Sequence, residues 1–269
     1  MIPDAVLRAA GLILAARRDL APIESLPDDC RPGTQAEAYA VQAAVVAHLT
    51  QELGGPEDGI AGFKIGATSA AAQAFLSLDG PFYGCIPRDK VLASPARVAP
   101  GEHNFCLIEP EFAVRLGRDL PVRDTAYGRG EVAEAVASVH PAFEVVTSAY
   151  GAAWRQAGAL QLIADNGVHN CLVLGPGRDD WRDLDLAAHP VVFTRNGQEE
   201  GRGTGANALG HPLDALAWLA GQAVAGGRGL RAGDLVTTGV VTPFILAGPG
   251  DDLVADFGIL GQVDLHMAG

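Results

Sequence analysis

The chain has no run of basic residues: 19 Lys plus Arg face 32 Asp plus Glu, for a formal charge of −13. A surface that tracks phosphates needs clustered cations, so no nucleic-acid partner is expected. Cysteine is sparse. Cys30, Cys85, Cys106 and Cys171 stand far apart without a CxxC pair. That spacing argues against a zinc site and a disulfide framework, and leaves free thiols in a reducing cytoplasm. No segment approaches the ~20 apolar residues of a membrane span. The apolar N-terminal stretch is broken by Asp4 and Arg8 with no cleavage site behind it, so it reads as part of the fold, and no membrane partner is expected. The histidines never form an H-x-x-x-H pair. The run Gly201–Asn207 lacks both the G-x-G-x-x-G order and a Walker lysine, and reads as a turn leading to a helix. Without a G-x-S-x-G elbow, serine hydrolysis has no local support.

What is abundant is glycine. The 34 glycines imply tight turns and close backbone approaches, which suit a sheet-rich body better than a helical bundle. With 269 residues, 48% of them hydrophobic, the chain can bury a large core without staples.

The first fifty or so residues read as helical. Leu7, Ala10 and Leu14 recur at helical spacing ahead of Arg17 and Arg18. Thr34 and Glu37 form a T-x-x-E capping box before a face of Ala38, Val41, Val45 and Leu49, and Gly54-Gly55-Pro56 stops that helix. Short strands follow: Ile60–Ile65, Ile108–Leu116, Phe143–Val146, Cys171–Leu174 and Val191–Arg195. A short helix over Ser69–Leu76 interrupts them. A later one starts at Pro212, carries Leu213, Leu216 and Leu219, and closes at Gly226-Gly227. The pattern is α+β, with a helical portion at 1–58 and a β-rich body at 59–269 forming one integrated domain.

Carboxylates in apolar settings carry the chemistry. Glu109 and Glu111 sit at i and i+2 of a strand, so their side chains point the same way, ~6.5–7 Å apart along the backbone. Alone they read as a solvated strand face, and Arg115 on that face favours this. Glu144 is different. It stands inside the apolar Pro141–Val146 run, where an unpaired charge is costly. Three convergent carboxylates would form an oxygen-only site suited to Mg2+ or Mn2+. Lys64, within Gly62-Phe63-Lys64-Ile65-Gly66, is either a snorkelling strand-edge lysine or a cation beside a metal and an anionic substrate.

These motifs come in a family order. GFKIGATS around Lys64 is followed by Leu78–Gly84, by IEPEFAVRLGRDLP, by PAFEVVTS around Glu144, and by LIADN ending at Asn166. GHPLDALAWLA and PGDDLVADFGILGQVDL complete the series. Across nearly the whole chain the series resembles the 2-keto-4-pentenoate hydratase and 4-oxalocrotonate decarboxylase group of the fumarylacetoacetate hydrolase superfamily. The resemblance implies that superfamily's mixed β-sheet body with an N-terminal helical portion, a Mg2+ or Mn2+ ion and a homo-oligomer. It implies metal ligation by Glu109, Glu111 and Glu144, and catalytic roles for Lys64 and Asp79. His169 and Thr242 are taken as substrate contacts. Two departures stand out. Thr147 and Ala149 replace an Asp and an Arg common after the third ligand, and His169 falls where relatives often carry small residues. Both are expected to face the distal end of the substrate.

The activity so implied is hydration of a 2-hydroxy-2,4-dienoate, an unsaturated 2-oxo acid in its enol form, to a 4-hydroxy-2-oxo acid. Decarboxylation of a 2-oxo-3-enedioate is the alternative, because both reactions rely on the same enolate stabilisation. A non-catalytic partner subunit is a third reading, with the departures blocking the pocket. Hydrolysis of an acylpyruvate would need an activated water, and no His–Glu pair is evident for it.

Overall fold

Glu109 and Glu111 lie on one face of their strand while Ile108, Phe112 and Val114 lie on the other, and this alternation organises the molecule. A computed structural model describes the backbone of residues 1–269 and every side chain except that of Ala225. In chain order its main elements are α1 (Pro3–Arg18), α2 (Gln35–Leu49), β1 (Ile60–Gly66), α3 (Ala70–Leu76), β2 (Phe82–Pro87), β3 (Val91–Ala93), β4 (Ala96–Val98) and β5 (Leu107–Leu116). Then come α4 (Arg129–Ala135), β6 (Val136–Val146), α5 (Ala159–Ala164), β7 (His169–Leu174), β8 (Pro190–Arg195) and β9 (Gln198–Thr204). The chain closes with α6 (Pro212–Ala220), β10 (Leu235–Val240), β11 (Ile245–Leu246), β12 (Asp252–Asp256) and β13 (Gln262–Met267). No helix among the described residues is long and apolar enough to cross a membrane.

Two mixed sheets form the body. The larger runs β2-β1-β10-β5-β6-β7-β3, with β11 pairing β5, and the smaller runs β4-β13-β12-β8-β9. One face of the larger sheet packs on the smaller. Phe112 meets Phe257 edge-on at 4.9 Å between ring centroids, and Phe143 meets Phe193 at 5.5 Å. The opposite face of β5 and β6 carries the glutamates. The antiparallel register sets Glu109 directly across from Glu144, and Glu111 across from Ala142.

Several sequence expectations are corrected here. The buried stripe of α1 is Ala9, Ala10, Ile13 and Ala16, while Leu7 is 64% exposed. This face meets Val41 and Val45 of α2 and reaches Ala149 and Ala164 in the body. Thr34 does cap α2 by accepting from the Glu37 N–H, but the Glu37 carboxylate turns to Gly33 instead of closing the box. β6 starts at Val136, well before the expected Phe143, because Pro141 does not end it. The run at Gly201–Thr204 is strand β9, not a turn. Its glycines answer close approach: a Cβ at Gly203 would lie 1.7 Å from the Val241 carbonyl oxygen. α6 ends at Ala220, before the expected Gly226.

Candidate active site

β5 and β6 bring three carboxylates together: one oxygen each from Glu109, Glu111 and Glu144 lies within 4.8 Å of the others. Glu111 and Glu144 are wholly buried, and Glu109 is partly open to a cavity. β10 separates β1 from β5, yet Lys64 on β1 extends to the same place, its Nζ 3.4 Å from Glu144 Oε2 and 5.3 Å from the Phe82 ring centroid. The close approach of β1 to β10 depends on Gly62, where a Cβ would fall 1.9 Å from the Leu235 carbonyl oxygen. Glu111 Oε2 accepts from the Gly239 N–H at 2.8 Å. Gly239 has φ 104, and a Cβ there would overlap Thr68.

The charges are unequal in number and shape one another. Burial first, then the neighbouring Glu144, pushes the Glu109 carboxyl up to about 7. Burial, Glu144 and Glu109 push Glu111 well above the carboxylate range. Burial opposes the charge of Glu144 too, but Lys64 and His169 outweigh it and hold this carboxyl low. Lys64 is held protonated, since the three glutamates together outweigh its burial. Glu111 Oε1 is buried without a hydrogen-bond partner, and Glu144 Oε2 has only the ion pair with Lys64 at 3.4 Å. One lysine against three clustered carboxylates, with oxygens left over, is a donor set that lacks a cation. An oxygen-only set fits a hard divalent ion.

The remaining expected residues fall elsewhere. Asp79 follows α3 beyond Ser77, whose left-handed turn (φ 55) carries the chain outward; it is exposed and does not line the cavity at Glu109. Thr242 is buried but donates to the Pro243 carbonyl and lines a neighbouring surface hollow. His169 is not at the distal end of the cavity. A register irregularity between β6 and β7 turns it onto Glu144, with Nδ1 2.9 Å from Oε1, so a His–Glu pair exists where none was expected. Its Nε2 is buried without a partner. Together with Thr147 it lines a second cavity of about 300 Å3, which shares no lining residue with the first. Ala149 packs against the N-terminal helices. The departures at Thr147, Ala149 and His169 therefore lie behind Glu144.

Three features escaped the sequence reading. Arg17 of α1 pairs with buried Asp165 at 2.6 Å and donates to the carbonyls of Thr147, Asp165 and His169, tying the end of β6 to the start of β7. Nothing local in the sequence joins positions 17 and 165. Thr237 stands beside Lys64 in the β1–β10 register with a buried, unpartnered hydroxyl. Asn166, Gly167 and Val168 are consecutively left-handed, at φ 52, 61 and 61, which is strained for the β-branched Val168. Val168 lines the carboxylate cavity, of about 390 Å3, with Phe75, Leu76, Leu107 and Phe244.

Comparison with known proteins assigns the chain to a family. The family model described as fumarylacetoacetate (FAA) hydrolase C-terminal matches residues 78–267. The chain belongs to the fumarylacetoacetate hydrolase family. Within it, the chain is 34% identical to 2-keto-4-pentenoate hydratase 2 of Dechloromonas aromatica, covering 100% of this chain and 98% of that one. It is 30% identical to 4-oxalocrotonate decarboxylase of Pseudomonas putida, over 98% and 97% of the two chains. The solved structure of 4-oxalocrotonate decarboxylase from Pseudomonas putida G7, complexed with magnesium and adipate, superposes with a TM-score of 0.90 at 27% identity, covering 99% and 98%. The chain is thus a member of the 2-keto-4-pentenoate hydratase and 4-oxalocrotonate decarboxylase group.

Proposed function

We propose that the chain is a divalent-metal-dependent hydratase that converts a 2-hydroxy-2,4-dienoate to a 4-hydroxy-2-oxo acid. The convergence of Glu109, Glu111 and Glu144 beside buried Lys64 carries this reading. The three glutamates would hold Mg2+ or Mn2+, the metal named for related structures being magnesium, calcium or manganese. Bound there, the ion supplies Lewis acidity toward the carboxylate and carbonyl oxygens of a 2-oxo acid. Lys64, kept protonated by its neighbours, offers a fixed positive charge to the substrate carboxylate, a role that suits it better than proton shuttling. Gly239 holds Glu111 and His169 holds Glu144, so two of the ligands are oriented by hydrogen bonds. In the reaction the far carbon of the dienoate takes a proton, and water then adds at carbon 4.

Likeness to a decarboxylase solved with a dicarboxylate keeps one second reading, loss of CO2 from a 2-oxo-3-enedioate. Incubation of the metal-loaded enzyme with both substrate types, followed by mass spectrometry, separates them. The expected product is 18 mass units heavier than the dienoate, the mass of one added water; release of CO2 alone would overturn the hydratase reading. Loss of all turnover with EDTA, restored by Mg2+, would oppose a non-catalytic partner role. The four buried free cysteines support a cytoplasmic location. The homo-oligomer implied by the family resemblance is tested by light scattering on the purified protein.

A further inference from the structure

We infer that the substrate carries a bulky apolar group, aryl or branched alkyl, at the end remote from its 2-oxo acid head. This rests on the hydratase reading of the same site and names the class of dienoate it takes. The cavity opens from Glu109 and Lys64 and is walled by Phe75, Leu76, Leu107, Leu162, Val168 and Phe244. Its volume is about 390 Å3, and hydrocarbon side chains form most of its lining. Thr68, Ser69 and Arg155 are its polar members besides Lys64 and Glu109, so a hydrocarbon tail laid along the apolar side chains removes their surface from water.

The wall argues equally against a charged tail. Lys64 stands beside Glu144 and serves the 2-oxo acid head. Arg155 lines the cavity as well, but it is exposed and lies over the Trp154 ring at 4.9 Å, which places its charge at the rim. A carboxylate carried into the depth of the cavity would meet Leu162 and Val168, both buried, with no cation among them. Leu162 belongs to a cluster with Leu107, Val146, Tyr150 and Val168, partly covered by Leu76 and Trp154, so the apolar wall is continuous with a packed part of the core.

The test compares kcat/KM of the full-length, Mg2+-loaded enzyme on 2-hydroxypenta-2,4-dienoate, its 5-phenyl and 5-isobutyl derivatives, and a dienoate ending in a carboxylate. In parallel, calorimetry measures the affinity of the unreactive saturated acids 2-oxopentanoate and 2-oxo-5-phenylpentanoate. The expected result is a preference of about tenfold or more for the apolar-tailed member in both series. Leu76→Arg, on the half-exposed end of α3, should narrow that ratio and raise the dicarboxylate, whereas Arg155→Ala should leave the ratio in place. Equal values across tails, or a wild-type preference for the dicarboxylate abolished by Arg155→Ala, would overturn the inference. If no dienoate is turned over but the tailed saturated acid still binds more tightly, the hydratase reading fails and the apolar subsite stands.

Discussion

Lys64 and Glu144 occupy positions that neither charge would hold alone, being 2% and 0% exposed. Each makes the other tolerable, and Glu109 and Glu111, once ionised, would add more negative charge than one lysine can balance. Replacing Lys64 with Met leaves Glu144 short of its main counter-charge. The expected cost is about 3–5 kcal/mol in the metal-free protein, read by urea unfolding, with a much smaller loss when Mg2+ is present. His169 acts through Glu144, so His169→Ala should weaken Mn2+ binding roughly 10–100-fold in calorimetry while the fold persists. An unchanged affinity would make His169 mere packing. At this scale the sequence was informative for charges set among apolar neighbours, as with Lys64 and Glu144. It was silent on where His169 would point, because a register irregularity decides that.

Strand β5 was legible as an element, since its polar–apolar alternation declares both a core face and a carboxylate face. The register that sets Glu109 opposite Glu144 was not, because it is a pairing between distant segments. Two elements hold that pairing in place. β1 brings Lys64 near only because Gly62 has no side chain, so Gly62→Ala should force β1 from β10. A loss of about 1–3 kcal/mol in stability is expected, with a disproportionate fall in turnover. α1 contributes Arg17, which clamps Asp165 and the carbonyls flanking Glu144 and His169. Arg17→Ala strands a buried carboxylate, and equilibrium unfolding should register about 3–5 kcal/mol. The left-handed Asn166–Val168 turn was equally invisible in the sequence, since a β-branched residue at positive φ is held by its surroundings.

For the molecule as a whole, the surplus of carboxylates links metal, pH and stability. Glu109 and Glu111 have raised carboxyls in the metal-free fold, so the folded state holds protons that the unfolded chain gives up. Their contribution to stability is complete below the ordinary value of 4.5 and is lost as pH rises through about 7 for Glu109. The metal-free Tm should therefore fall from about pH 5 to about pH 8, and saturating Mg2+ should raise it more at the higher pH. The depressed Glu144 opposes this trend only below the carboxylate range. The α+β class and the family were legible from the ordered motifs, whereas the two-sheet packing that buries the site's far side was not. The central claim is that three glutamates hold one divalent ion. Equilibrium dialysis with Mn2+ on wild type and Glu111→Gln tests it most directly. One ion per chain in the wild type, and binding in the variant weakened beyond the roughly 10–100-fold typical of losing a ligand's hydrogen-bond partner, is the predicted result. Undiminished binding in the variant, with the fold intact, would contradict it.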